Sequence, residues 1–359
     1  MLDWMGSYRG EGAALLTAWC WVFTSLSFAA AGRRVGPMVV NISRLFLAVA
    51  FLALISRQVN GVWIPTVDSV GLWWLILSGV IGLSIGDQLL FTALVDVGSR
   101  TSTLLMTLAP PIVALTAWFA LNEQPTLMMA VGMAITLGGI AWVIRERPAR
   151  DDGTAHPHWR RGLLLGIGAA WCQGIGFVIA KLGMGHTRLP EAEHVDPLSA
   201  TLIRMAFAAV GMAVIAVIWH GVRAAIRQAG EHRSHRRRQR RWGSSIPFIL
   251  MGTMLGPVLG VWCSLIAADA SNVGIAATLM AMTPIFILPF AALAERERIT
   301  SKAVIGAIVA VLGVVVLSLF GEAKPETDGE HPDDVTTVSV TDAESPAVPD
   351  GGADDKPQG

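Results

Sequence analysis

Asp87 lies well inside a long apolar run, with Gln88 beside it. Placing a charge there is costly unless it is paired or faces a wet cavity. Two readings stand for the carboxylate. It serves a substrate or a proton, or it is the structural partner of Arg44 or Arg204. Each arginine lies a few residues inside its own apolar run and is followed by Phe46 or Phe207. The arginines in turn either snorkel or hold helix ends together, or they bind an anionic substrate group. Asn41 and Gln173 could line the same cavity, whereas Lys181 reads as interfacial. Enzyme signatures are absent: the chain has no HExxH, GxSxG, Walker A or cofactor fingerprint. No enzyme activity, cofactor or metal is therefore expected. His156 and His158 read as solvated loop residues rather than metal ligands. Cys20, Cys172 and Cys263 have no ligand spacing and read as small buried hydrophobes.

Composition says what surrounds these groups. Of 359 residues, 53% are hydrophobic and 15% charged, against about 25% charged in a soluble domain. Ten apolar spans follow, at about 12–31, 38–56, 71–94, 101–121, 127–144, 162–183, 197–219, 246–268, 273–294 and 302–320, each long enough to cross roughly 30 Å of hydrocarbon. Runs this continuous exclude alternating barrel strands, so the expected fold class is an all-α membrane protein. Trp63, Trp73, Trp74, Trp142, Trp159, Trp219 and Trp242 lie near span ends, where an amphipathic ring suits the interface. The first span ends in "FAAAGRR" and could mimic a leader. Its Ala18-Trp19-Cys20 recurs as Ala170-Trp171-Cys172 in the sixth span, so it reads as a permanent helix. After residue 320 the chain turns acidic and poor in large apolar residues, which predicts a solvated, disordered tail over 321–359.

Sliding the chain by 174 residues aligns spans three to five with eight to ten. Gly82 falls on Gly256, Gly86 on Gly260, Pro110 on Pro284, Glu123 on Glu297, Thr126 on Thr300, Gly132 on Gly306 and Gly139 on Gly313. At shorter offsets Trp19 pairs with Trp171 and Arg44 with Arg204, which adds the two tryptophans to the candidate cavity residues. Asp87 has no acidic twin, since Val261 holds its place. The organisation read from this is a short segment 1–11, a first repeat 12–144, a loop 145–161, a second repeat 162–320 with a basic loop 220–245, and the tail. Five spans per unit force the halves into opposite orientations, the pattern of secondary transporters with a midplane site. The paired glycines permit close helix approach. Pro110 and Pro284 read as mid-helix breaks, with Pro111 and Pro289 adding others. Such breaks border a substrate site or simply kink a packed helix.

"ALVDVGSRTSTLLMTLAPPIVALTAWFALNEQPT" and "SLIAADASNVGIAATLMAMTPIFILPFAALAERERIT" resemble the two EamA domains of the drug/metabolite transporter superfamily. The family turn with its Glu and Thr stands here as Glu123 and Thr126, and as Glu297 and Thr300; the flanking residues drift. The resemblance covers residues 12–320 and implies a ten-helix carrier of small organic solutes working by alternating access. It does not extend to the superfamily's small four-helix members, which use a buried Glu in the first helix; here Glu11 precedes that span. The same-class alternative is a flippase or exporter of a lipid-linked or nucleotide-linked sugar. A non-transporting sensor or scaffold is the alternative from another class. Expected partners are a small-molecule substrate and the bilayer, and oligomeric state is open.

"EHRSHRRRQRRW" (231–242) looks alone like a nucleic-acid patch. Between two spans it reads instead as a cytoplasmic anchor near anionic headgroups, with no nucleic-acid partner. Loops after the odd-numbered spans carry most of the Lys and Arg, including Arg33, Arg34, Arg100, Arg160, Arg161 and the basic loop. The bias predicts that those loops are cytoplasmic and both termini outside. The resemblance implies the reverse.

Overall fold

The computed structural model describes residues 9–121, 126–145, 158–185, 194–229, 242–264, 279–295 and 300–320, all within the unit Met1–Ala323. Glu123, Glu297, residues 230–241 of the basic loop and the acidic tail lie outside them. The described residues form helices and no strand: α1 (Arg9–Val35), α2 (Pro37–Val59), α3 (Ser69–Ser78), α4 (Asp87–Met106), α5 (Ala109–Leu121), α6 (Leu127–Arg145), α7 (Trp159–Met184), α8 (Pro197–Ala229), α9 (Ile246–Thr253), α10 (Thr283–Glu295) and α11 (Ser301–Phe320). Two π-helical segments, Gly79–Gly86 and Met254–Gly260, continue α3 and α9.

Among the described residues, six helices are long and apolar enough to span a membrane: Gly10–Val35, Pro37–Val59, Ser69–Met106, Trp159–Met184, Pro197–Gly221 and Ile246–Ser264. Leu127–Val143, Thr283–Ala294 and Ser301–Val316 are shorter apolar helices. The third expected span and the start of the fourth fall in one helical stretch, divided only at Gly98. There φ is 82°, a left-handed backbone that favours glycine.

Local chemistry sets the helix starts. Asp68 accepts from the Gly71 amide at 3.1 Å to cap α3, and Asp196 accepts from Ser199 at 3.0 Å to cap α8. Thr126 and Thr300 cap α6 and α11 through their hydroxyls, accepting from Met129 and Ala303 at 3.2 and 3.3 Å. Each cap contributes about 1 kcal/mol. The turn motif's threonines therefore act as helix starts.

Pro110 and Pro284 do not sit where a mid-helix break was expected. The breaks are the turns at Thr107–Leu108 and Ala281–Met282, and both prolines fall in the first turn of the following helix. A missing N–H costs nothing there. Pro289 alone of the three lies inside a helix.

Packing crosses between the repeats. α7 packs along α3, the first π segment and α4, while α1 packs along α9 and the second π segment. α2 pairs with α8, and α6 with α11. The sequence repeats account for the seams. A Cβ at Gly86 would come 2.9 Å from Cys172 Cβ, and one at Gly260 would come 3.5 Å from Cys20 Cβ. The recurring Ala-Trp-Cys thus meets the recurring glycine pair of the other half.

Segments at one end of the bundle are tied together by Arg34, which donates to the Ser244 carbonyl and lies 4.2 Å from the Phe248 ring centroid. Asp96 and Arg161 join α4 to α7 at the same end. At the other end Asn60 Nδ2 reaches Ser199 Oγ at 3.3 Å. Arg100, counted above as a loop charge, is instead buried at 4% exposure just after the Gly98 break.

Candidate functional site

The two π segments occupy equivalent places in the repeats. Widening a helix to i→i+5 bonding displaces carbonyls and is common at functional sites. Asp87 follows the first segment directly, and its amide donates to the Gly82 and Ser84 carbonyls. Val261 follows the second.

Asp87 is 5% exposed. Its Oδ2 accepts from Arg44 Nη2 in an ion pair, and its Oδ1 accepts from Gln173 Nε2 at 2.5 Å. Arg44, also 5% exposed, further donates to Asn41 Oδ1 at 3.3 Å and stands 5.2 Å from the Phe91 ring centroid. Asn41 Nδ2 donates to the Ser84 carbonyl at 3.2 Å, and Ser84 Oγ donates to the Ala208 carbonyl at 2.8 Å. One network thus links α2, the π segment, α4, α7 and α8. Ser84 had no signal in the sequence beyond its place between the paired glycines.

Arg204 approaches from the other end. It is seven residues inside α8, as Arg44 is seven inside α2, about 10 Å of helix in each case. A Cβ at Gly79 would come 3.1 Å from the Arg204 Cα, so the α8 backbone lies against the π segment. A Cβ at Gly82 would be 3.7 Å from Arg204 Nη2. Arg204 interacts electrostatically with Asp87, and among the described residues no group hydrogen-bonds it.

Other candidates are placed elsewhere. Gln88 turns to its own helix, donating to Thr92 Oγ1 at 3.3 Å. Trp19 stacks on Phe286 with centroids 5.0 Å apart and meets Phe290 edge-on at 5.6 Å, next to Pro289. Trp171 is exposed. The glycines at 82, 86, 256 and 260 line helix seams.

A second buried carboxylate went unremarked in the sequence. Asp96 accepts two hydrogen bonds from Arg161, both 2.7 Å, in a two-pronged pair. Its signal in the sequence is weak, because it falls just past the expected end of the third span and Arg161 lies between two apolar runs. The described residues include no group of three metal-ligand side chains.

A model of the EamA-like transporter family matches the chain twice, at residues 8–145 and 160–319. No curated protein matches. Among solved structures, one described only as the crystal structure of a protein aligns over 88% of this chain and 97% of its own, with a TM-score of 0.52 and 18% identity. That likeness concerns the fold alone.

Proposed function

From the premise that this chain belongs to the EamA-like transporter family, we propose that it is a secondary carrier moving a small organic solute by alternating access between two inverted five-helix repeats. The observation that carries this reading is the Asp87–Arg44–Gln173 network. It is a charged cluster held deep in apolar helices, beside a helical distortion that recurs in both halves. Charges kept at that depth are expensive and mark solute or ion pathways. A purely structural pair would explain Asp87 and Arg44 alone. It would not explain why Arg204 enters from the opposite end toward the same carboxylate. Residues at repeat interfaces with broken helices are where carriers bind solute, and Asp87, Arg44, Asn41, Gln173 and Arg204 are the residues assigned to that role.

Full-length protein in proteoliposomes should drive solute counterflow above empty vesicles for at least one class in a metabolite, amino-acid and drug panel. A chain ending at Gly321 should do the same. No flux from either would overturn the carrier reading and favour a sensor or scaffold.

The proposed orientation has the basic loop in the cytoplasm and both termini outside. Removing the buried Arg100 from the loop charges leaves the bias intact, because the basic loop dominates it. A periplasmic-type enzyme reporter fused after the tail should be active only outside the cytoplasm. Activity inside reverses the assignment.

A further inference from the structure

The network carries three full charges: Arg44 and Asp87, both buried, and Arg204, half-buried with its Nε enclosed. Both oxygens of the carboxylate already accept, from Arg44 on Oδ2 and from Gln173 on Oδ1. Arg204 is left over. Its Nε is buried, and among the described residues the side chain has neither a hydrogen-bond partner nor an ion pair. The one charge acting on it strongly is Asp87, which already serves Arg44.

The repeat register explains the imbalance. Arg44 and Arg204 are equivalent residues, but the carboxylate exists only in the first half. Val261 stands where a second Asp would be. The second half therefore keeps the cation without its counter-charge. A guanidinium desolvated in an apolar bundle is costly unless an anion joins it. Within the described residues nothing supplies that anion, which leaves the place open to one brought from outside the chain.

We propose that Arg204 is the receptor for the anionic group of the transported solute, and that the substrate class is organic monoanions bearing a carboxylate or a phosphodiester. This rests on the carrier reading above. Both headgroups present two oxygens to the planar fork of a guanidinium, which pairs them side by side. Charge selects among solutes. A monoanion brings the cluster to neutrality, a zwitterion leaves the excess positive charge in place, and an amine adds to it. Gly82 serves the same end, since no side chain there projects onto the Arg204 guanidinium.

The full-length protein in detergent, followed by thermal unfolding through its tryptophans, tests the assignment. The probes are carboxylates from acetate to benzoate, diphenyl phosphate, the isosteres benzamide and benzylamine, and chloride. Saturable stabilisation is expected from at least one organic anion and from neither benzamide nor benzylamine. In Arg204→Gln the anion should bind on the order of tenfold more weakly or worse, the loss of a charged hydrogen bond. Arg204→Lys should recover part of it, having the charge without the fork. Benzamide acting as strongly as benzoate, or unchanged benzoate binding in Arg204→Gln, overturns the proposal. So does no response to any organic anion. Chloride saturating the site with no further effect of organic anions makes it an inorganic-anion site and equally overturns it. If Arg204→Gln does not fold, the acid-against-amide comparison on the unaltered protein decides alone. Flux of the same probes separates the two ideas. Anion binding without flux defeats the carrier reading and keeps the site, whereas flux indifferent to charge defeats the site and keeps the carrier.

Discussion

Asp87→Asn should abolish transport and destabilise the protein together, and adding Arg44→Gln should restore the stability alone. Asn keeps the shape of the side chain and can still accept from Gln173, but it no longer balances Arg44. An arginine that is 5% exposed then sits unpaired beside a second one, Arg204. Removing one partner of a buried pair costs about 3–5 kcal/mol. In Asp87→Asn/Arg44→Gln both charges of the pair are gone, so most of that penalty disappears. What remains is the Arg44–Asn41 hydrogen bond at 3.3 Å, about 1 kcal/mol. If the carboxylate takes part in transport, the double variant is stable and silent. Unfolding temperature and solute flux on the same preparations check this. Wild-type flux in Asp87→Asn would remove Asp87 from the mechanism. Recovered flux in the double variant would make it a structural partner of Arg44 and nothing more.

The two readings of Asp87 could not be separated in the sequence, and the reason is specific. Arg44 and Arg204 are equivalent under the repeat, at equal depth in their helices, so no pattern of residues says which one a lone carboxylate will meet. The answer depends on how α2 and α8 are disposed around α4, which is tertiary. By contrast, the 174-residue register was readable because it runs through Gly and Pro. These residues serve close backbone approach and helix starts that other side chains cannot supply. The same register later accounts for the Cys172–Gly86 and Cys20–Gly260 seams.

Helix type was not readable. Nothing in "GVIGLSIG" (79–86) signals i→i+5 bonding, and in "MLGPVLG" (254–260) the one interruption legible is Pro257, which removes an i→i−4 bond. Loop charges misled in one place. Arg100 is buried, so position between apolar runs does not by itself make an arginine a solvated topogenic charge, whereas Arg161 stays exposed while it pairs with the buried Asp96. The prolines misled in a smaller way. "LAPP" and "MTP" were legible as breaks, but whether a proline ends a helix or starts the next depends on which carbonyls the preceding turn satisfies. Here Leu108 and Met282 accept from Ile112 and Phe286, so the prolines begin the new segments.

Gly139→Leu or Gly313→Leu should separate α6 from α11 and unfold that side of the bundle. The two helices touch at backbone distance. A Cβ at Gly139 would lie 2.8 Å from Ala310 Cα, and one at Gly313 would lie 2.8 Å from the Gly132 carbonyl oxygen. Neither obstacle is a side chain that can rotate away. Within lipid there is little hydrophobic drive to hold two helices together, so their association rests on close packing. Holding them apart by the width of a leucine loses that packing along the whole seam. The cost should exceed the usual 1–3 kcal/mol of an overpacked core, lowering the unfolding temperature by roughly 5 °C or more. Gly138 supplies the control from the adjacent position. A Cβ there meets nothing within 4 Å, and its neighbour Leu137 is exposed. Gly138→Leu should therefore leave stability and flux nearly unchanged. Equal losses at 138 and 139 would point to a general intolerance of bulk in α6 and sink the packing account. Combining Gly139→Leu with Gly313→Leu should cost less than the sum of the two, because a seam already opened by the first leucine has little left for the second to displace.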